Sequence, residues 1–179
     1  MSLHGMDHDA WNRYGDKGSW YYEVKRVGYK FNMTDIQAAL GLVQLQRAPE
    51  LYECRRRAAE RYLAQLAGED ALILPAVRAD ALHSWHLFVP RLREGALRID
   101  RNRFLQALSA EGVSVSLHFI PIHHHPVHRD RFAGAGGRLP RSEAFYSGCF
   151  SLPLFPDIRD GEVDEVCQAL RKLLAYYRR

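Results

Sequence analysis

The chain has 179 residues, 47% of them hydrophobic, with 25 basic and 21 acidic side chains for a formal net charge of +4. That length and apolar content suit one buried core, or one core plus an arm, and no apolar run is long enough to cross a bilayer. The arginines are scattered, from Arg55–Arg57 to the tail "RKLLAYYRR", which reads as solvated helix faces rather than a nucleic-acid surface.

The segment 1–33 reads as an extended aromatic arm and loop. It has no helical stripe, turn signals at Gly15 and Gly18, and a density of rings that would leave a large apolar surface exposed unless another chain or domain covered it. Met1-Ser2-Leu3 reads as a scar joined to the middle of a longer gene product, and the start lacks the apolar segment of a signal peptide. A helix is expected from Thr34, its N-cap, with Gln37 completing a capping box and Asp35 placed against the positive end of the dipole. Ile36, Leu40 and Val43 form its expected apolar face, and Pro49 should break it near Ala48 or open a second helix. Leu51, Ala58, Ala59, Tyr62 and Leu66 then carry a stripe to a stop at Gly68.

Two short strands follow, "ALILP" and "SWHLFVPRL", the second confined to an edge or bulge at Pro90. Asp100 caps a helix that ends at Gly112. "VSVSLHFIP" is the cleanest strand in the pattern: Val113, Val115, Leu117 and Phe119 point one way, and Ser114, Ser116 and His118 the other. Beyond the glycine-rich "AGAGG", "RSEAFYSGCF" predicts a short helix and "SLPLFP" a brief buried strand. A terminal helix should face Val163, Val166, Leu170, Leu173, Leu174 and Tyr177 inward. The pattern predicts an α+β fold over 34–179, a small two-layer domain of helices on a short, mainly antiparallel sheet.

Chemistry is sparser. Five histidines, His118, His123, His124, His125 and His128, fall within eleven residues, but three in a row cannot all reach one ion on a regular backbone. No cysteine or carboxylate completes an obvious ligand set, so a polar loop at a pocket mouth is expected and no metal. Cys54, Cys149 and Cys167 lack metal-type spacing and fit free thiols in a reducing compartment, the cytoplasm. Serine-nucleophile elbows, Walker loops and dinucleotide fingerprints are missing from the sequence.

Five ordered motifs go further: "SWYYEV", "GYKFNMTDIQAALGLVQL", "SWHLFVPRL", "EGVSVSLHFIPIHHHP" and "SLPLFP". Together they resemble the C-terminal part of the DegT/DnrJ/EryC1/StrS sugar aminotransferases, fold-type-I enzymes of α/β architecture. The family uses pyridoxal phosphate to move an amino group from glutamate to a nucleotide-linked keto-sugar, and the resemblance implies a homodimer. It also implies that the glycine-led loop reaches a neighbour's active site, where Lys30 and Asn32 contact the cofactor phosphate. Many relatives read Gly-Tyr-Asn-Tyr-Arg-Met where this chain reads Gly28-Tyr29-Lys30-Phe31-Asn32-Met33, so the polar positions have changed type. Tyr29, His86, His118, Pro121 and His123 are implied to border the substrate, with Trp85 equally suited to the core. The lysine that carries the cofactor in relatives lies in a motif upstream of "HG". None of Lys17, Lys25, Lys30 and Lys172 stands in that motif, so this chain alone is expected to be inactive, with no catalytic residue of its own. The alternatives are a stand-alone sugar-nucleotide or metal-binding module without catalysis, or a zinc or nucleic-acid binder using the histidines and arginines.

Overall fold

The computed structural model describes residues 3–6, 23–129 and 139–179. The predicted readings of 7–22, including Lys17 and most of the aromatic arm, and of "AGAGG" lie outside the described residues. The chain divides into two compact units between Ala48 and Pro49.

In the first unit, backbone bridges pair Leu3 with Lys30 and Met6 with Val24 in antiparallel fashion. The His4 N–H donates to the Tyr29 carbonyl at 2.8 Å, and the Lys25 N–H to the Gly5 carbonyl at 3.1 Å. Helix α1, Asp35–Leu66, then starts where expected. The Thr34 N–H donates to Gln37 Oε1 at 2.9 Å and the Gln37 N–H to Thr34 Oγ1 at 3.3 Å, which is the predicted reciprocal cap.

One expectation for α1 fails, and one face of it is left open. Pro49 lies inside the helix without ending it. A proline there removes one backbone donor, but Gln44 to Glu50 are all exposed, so water can satisfy the carbonyl left over, and the buried stripe farther on holds the continuation. The expected apolar face is also uncovered: Ile36 is 76%, Leu40 64% and Val43 53% exposed. The second stripe is buried as predicted at Ala58, Ala59, Tyr62 and Leu66.

In the second unit, strands β1, Leu72–Ile73, and β2, Arg91–Leu92, form the regular antiparallel ladder, with Leu72 opposite Leu92. Single bridges widen it: Phe88 and Arg91 pair with Leu152 and Cys149, and Ser116 pairs with Ser151, all antiparallel. The predicted strands are thus recovered as short extended segments in one small sheet. The longest predicted strand, 113–119, joins it at one bridge only among the described residues. Val113 is buried, Val115 and Leu117 are half-buried, and Phe119 is 75% exposed, so the alternation serves a core only in its first part. Pro90 is buried next to β2, where its carbonyl accepts from the Phe150 N–H at 3.2 Å and its missing donor is not needed.

Helix α2, Arg101–Ala110, is capped by the Asp100 side chain, which accepts from the Arg103 N–H at 2.8 Å. It stops where Gly112 takes φ 83°, a left-handed turn that suits glycine. A 3-10 turn, Ile122–His124, leads to the short helix α3, Pro126–Arg129. Helix α4, Pro140–Gly148, packs on β2, and helix α5, Asp160–Tyr177, packs on α2. Tyr62, Phe88, Phe104, Leu108, Phe150, Leu170 and Leu174 form the centre of the core. Tyr62 stacks obliquely on Phe88 at 4.9 Å, and its hydroxyl, whose pKa burial pushes up, donates to the Pro153 carbonyl at 3.0 Å. Trp85 lies in this core, 4% exposed and 5.9 Å from Phe88. Among the described residues, no helix is long and apolar enough to cross a membrane.

Candidate functional site

The glycine-led loop is specified by close backbone contact. Gly5 has φ 76°, and a Cβ on it would stand 1.9 Å from the Arg26 carbonyl oxygen; a Cβ on Gly28 would stand 2.3 Å from the Gly5 nitrogen. Any side chain at either position forces the two paired segments apart, so the glycine that opens the motif is a packing requirement of this pairing. Beyond it the side chains are presented to solvent. Tyr29 and Phe31 stack with ring centroids 4.9 Å apart and are 66% and 70% exposed, and Lys30 and Asn32 are exposed as well. A cationic donor and an amide donor, carried on a backbone pinned just ahead of a capped helix, suit an anion.

A second group lies in the other unit. His118 Nδ1 is 2.8 Å from the hydroxyl of Ser151, which is itself buried. Both line a cavity of about 270 Å³ with Ser114 and Ser116, the polar side of the predicted strand, and with Leu87, Leu152, Pro153 and Phe155. Its lining therefore combines polar and apolar side chains, as a site for a partly apolar ligand requires. Sequence spacing identified His118 and the serines at 114 and 116. Ser151 escaped notice because it comes from a segment 33 residues away, joined only by the Ser116–Ser151 bridge.

His86 is exposed, and its backbone carbonyl accepts from Arg55 Nη1 at 3.4 Å; the same nitrogen donates to the Leu154 carbonyl at 3.1 Å. Arg55 thus ties α1 to two loops, a role its place in an arginine run did not signal. Pro121 caps the 3-10 turn, and His123 turns away from solvent against Glu143. Hydrogen bonds from His123 and then His124 hold the Glu143 carboxyl below its ordinary pKa. The structure accordingly joins His118 with Ser151, and His123 with Glu143. Tyr29, Lys30 and Asn32 share the arm of the other unit.

The sequence profile of one family matches residues 1–171. The chain belongs to the DegT/DnrJ/EryC1/StrS aminotransferase family. It is 42% identical over 175 residues to the spore coat polysaccharide biosynthesis protein SpsC of Bacillus subtilis, a match covering 97% of this chain and 45% of SpsC. Among solved structures, the PMP-form of Spr1654 from Streptococcus pneumoniae, designated a sugar aminotransferase, superposes with a TM-score of 0.81 at 32% identity, over 98% of this chain and 43% of that one. Helicobacter pylori PseC, an aminotransferase in the biosynthesis of pseudoaminic acid, gives 0.78 at 26%, over 97% and 44%. This member of the DegT family thus spans less than half the length of these relatives. The architecture matches the C-terminal domain of a fold-type-I aminotransferase, and the cofactor expected from the resemblance agrees with the PLP- and PMP-forms of Spr1654.

Proposed function

We propose that this chain serves a pyridoxal-phosphate-dependent transaminase that moves an amino group from glutamate to a nucleotide-linked keto-sugar for polysaccharide synthesis in the cytoplasm. Its own part is to contact the cofactor phosphate and the substrate and to close a homodimer. The observation that carries this reading is the exposed pair Lys30 and Asn32 on the loop pinned at Gly28, immediately before a helix whose apolar face is uncovered. Such a surface fits a second copy whose bound phosphate the pair can meet.

Bound pyridoxal phosphate supplies the electron sink that lets an amino group leave one carbon and join another. The residues present fit its phosphate end: Lys30 contributes charge and Asn32 an amide N–H, which orient the cofactor. In the other unit, His118, held by Ser151, offers its remaining ring nitrogen to a hydroxyl or carbonyl of the sugar. His86, in the same unit as His118, supplies a further polar edge to the substrate, and Tyr29, on the arm beside Lys30, an aromatic edge to the substrate of the second copy. Lys172 is paired with Glu111, with Nζ 2.8 Å from both carboxylate oxygens.

The reading is tested on the full reading frame that encodes the chain, by following glutamate-dependent amination of nucleotide-linked keto-sugars. Lys30→Ala and Asn32→Ala should weaken cofactor binding, each by about tenfold, the loss of one charge-assisted hydrogen bond. His118→Ala should raise KM for the sugar with little change in cofactor affinity. Unchanged cofactor affinity in the Lys30 and Asn32 variants would overturn the assignment. The chain by itself should show no turnover, and activity that disappears on substituting one of its four lysines would contradict that.

A further inference from the structure

The histidine run lacked a carboxylate in the sequence pattern, and the fold supplies one. Glu143 stands in the first turn of α4, and its Oε1 meets Nε2 of both His123 and His124, the latter at 2.8 Å. One ligand atom from each of the three lies within 4.8 Å of the others. Glu143 Oε2 has no hydrogen-bond partner among the described residues. The group is built into the protein on one side and open on the other: the side chain of His123 is 8% exposed, that of Glu143 34% and that of His124 36%.

The rings are also held in place. His123 and His124 pack edge to face at 4.6 Å, and His124 packs on the Tyr146 ring at 5.5 Å. The turn beneath them is closed by the His124 N–H on the Pro121 carbonyl at 2.9 Å and the His125 N–H on the Ile122 carbonyl at 3.1 Å. A 3-10 turn is the irregular backbone that lets two consecutive histidines aim the same ring nitrogen at one point. His125, at the end of the turn, contributes no atom to the cluster. A carboxylate needed only to fasten this turn to α4 would be served by one imidazole. Two imidazole nitrogens and a carboxylate converging beside open solvent form the donor set of late first-row divalent cations, with a fourth position left for water.

We propose that His123, His124 and Glu143 form a binding site for such a cation, for which Zn2+ is the natural probe. Bound there, the ion fastens the 121–125 turn to α4 and removes the Nε2 atoms of both histidines from contact with other ligands. This assignment does not rest on the aminotransferase reading: of its three residues only His123 is among those the resemblance implies at the substrate, and none of the contacts proposed above uses it.

The test titrates the chelator-stripped chain with Zn2+ by calorimetry and with Co2+ by visible absorption. One ion per chain is expected, with the intense visible bands of low-coordinate Co2+ and a rise in melting temperature that a chelator reverses. Glu143→Gln keeps the size and an acceptor oxygen and should weaken Zn2+ binding at least about tenfold, as removing a ligand costs no less than removing its support. The more exposed His124→Ala should do the same, and serves if Glu143→Gln fails to fold by circular dichroism. His125→Ala and His128→Ala should bind as the parent does. The proposal is overturned if the parent binds no ion, if Glu143→Gln and His124→Ala bind as tightly as the parent, or if the loss follows His125 or His128 instead, which marks adventitious capture by a histidine run.

Discussion

Helix α1 begins in one compact unit and ends in the other, and its two ends live differently. Near its start, Ile36, Leu40 and Val43 repeat at helical spacing yet stay more than half exposed, while Ala58, Ala59, Tyr62 and Leu66 farther along are buried to 1% exposure or less. Both stripes have the same periodicity in sequence. Periodicity reports that a face is shaped for cover and says nothing about which chain provides it. The start of α1 is fixed by its cap and the later part by the core, so substitutions in the two should part company sharply.

The largest contrast is expected from truncation. Phe88→Ala empties the site against Tyr62 and Trp85 and should lower stability by about 3–5 kcal/mol, read as a fall in the denaturation midpoint. Ile36→Ala, on the uncovered stripe, should change the stability of a single chain by no more than about 0.5 kcal/mol. Its effect belongs to assembly: Ile36→Glu together with Leu40→Glu should shift sedimentation toward monomer. If Ile36→Ala destabilises as much as Phe88→Ala at concentrations where the chain is monomeric, the contrast between the two stripes is wrong. A smaller effect comes from the cap. Thr34→Ala removes the acceptor for the Gln37 N–H and should cost about 1 kcal/mol, confined to the first turns of α1 and visible as faster amide exchange there.

Much of this was legible in the chain and some of it was not, for reasons that sort by distance. The Thr34 and Asp100 caps, the Gly112 stop and the α5 stripe depend on neighbours three or four residues away, and the pattern predicts them. Pro49 misled because a local penalty was overridden by burial farther along the same helix. The extended run after Val113 misled for the opposite reason: its alternation is strand-like, but among the described residues only Ser116 finds a bridge partner, and Phe119 is left exposed. In the candidate sites, His118 and His123 could be singled out by type and place. Their partners Ser151 and Glu143 could not, since each lies 20 or more residues away and is delivered by the sheet or by α4.

The smallest effect expected is also the one that best separates the ends of α1 by chemistry rather than packing. Arg61, within the buried half, grips Asp164 of α5 through two hydrogen bonds of 2.6 Å, with Gln65 on the same carboxylate. The Arg61 guanidinium holds the Asp164 carboxyl below its ordinary value of 3.8, so the ionised form is favoured by folding. A carboxylate lowered in this way stabilises the fold above its unfolded pKa, and that contribution is lost as the pH falls through its lower folded value. The loss therefore begins below about pH 4 and is absent at neutral pH. Asp164→Asn should be less stable than the parent at pH 7, and the gap should close on acidification toward pH 2, as measured by denaturation midpoints along that series. Because the two side chains are 36% and 43% exposed, high salt should narrow the gap at pH 7 as well. A gap that persists unchanged at the acid end would mean that the asparagine disturbs packing, and that Asp164 holds α1 to α5 by shape and not by charge.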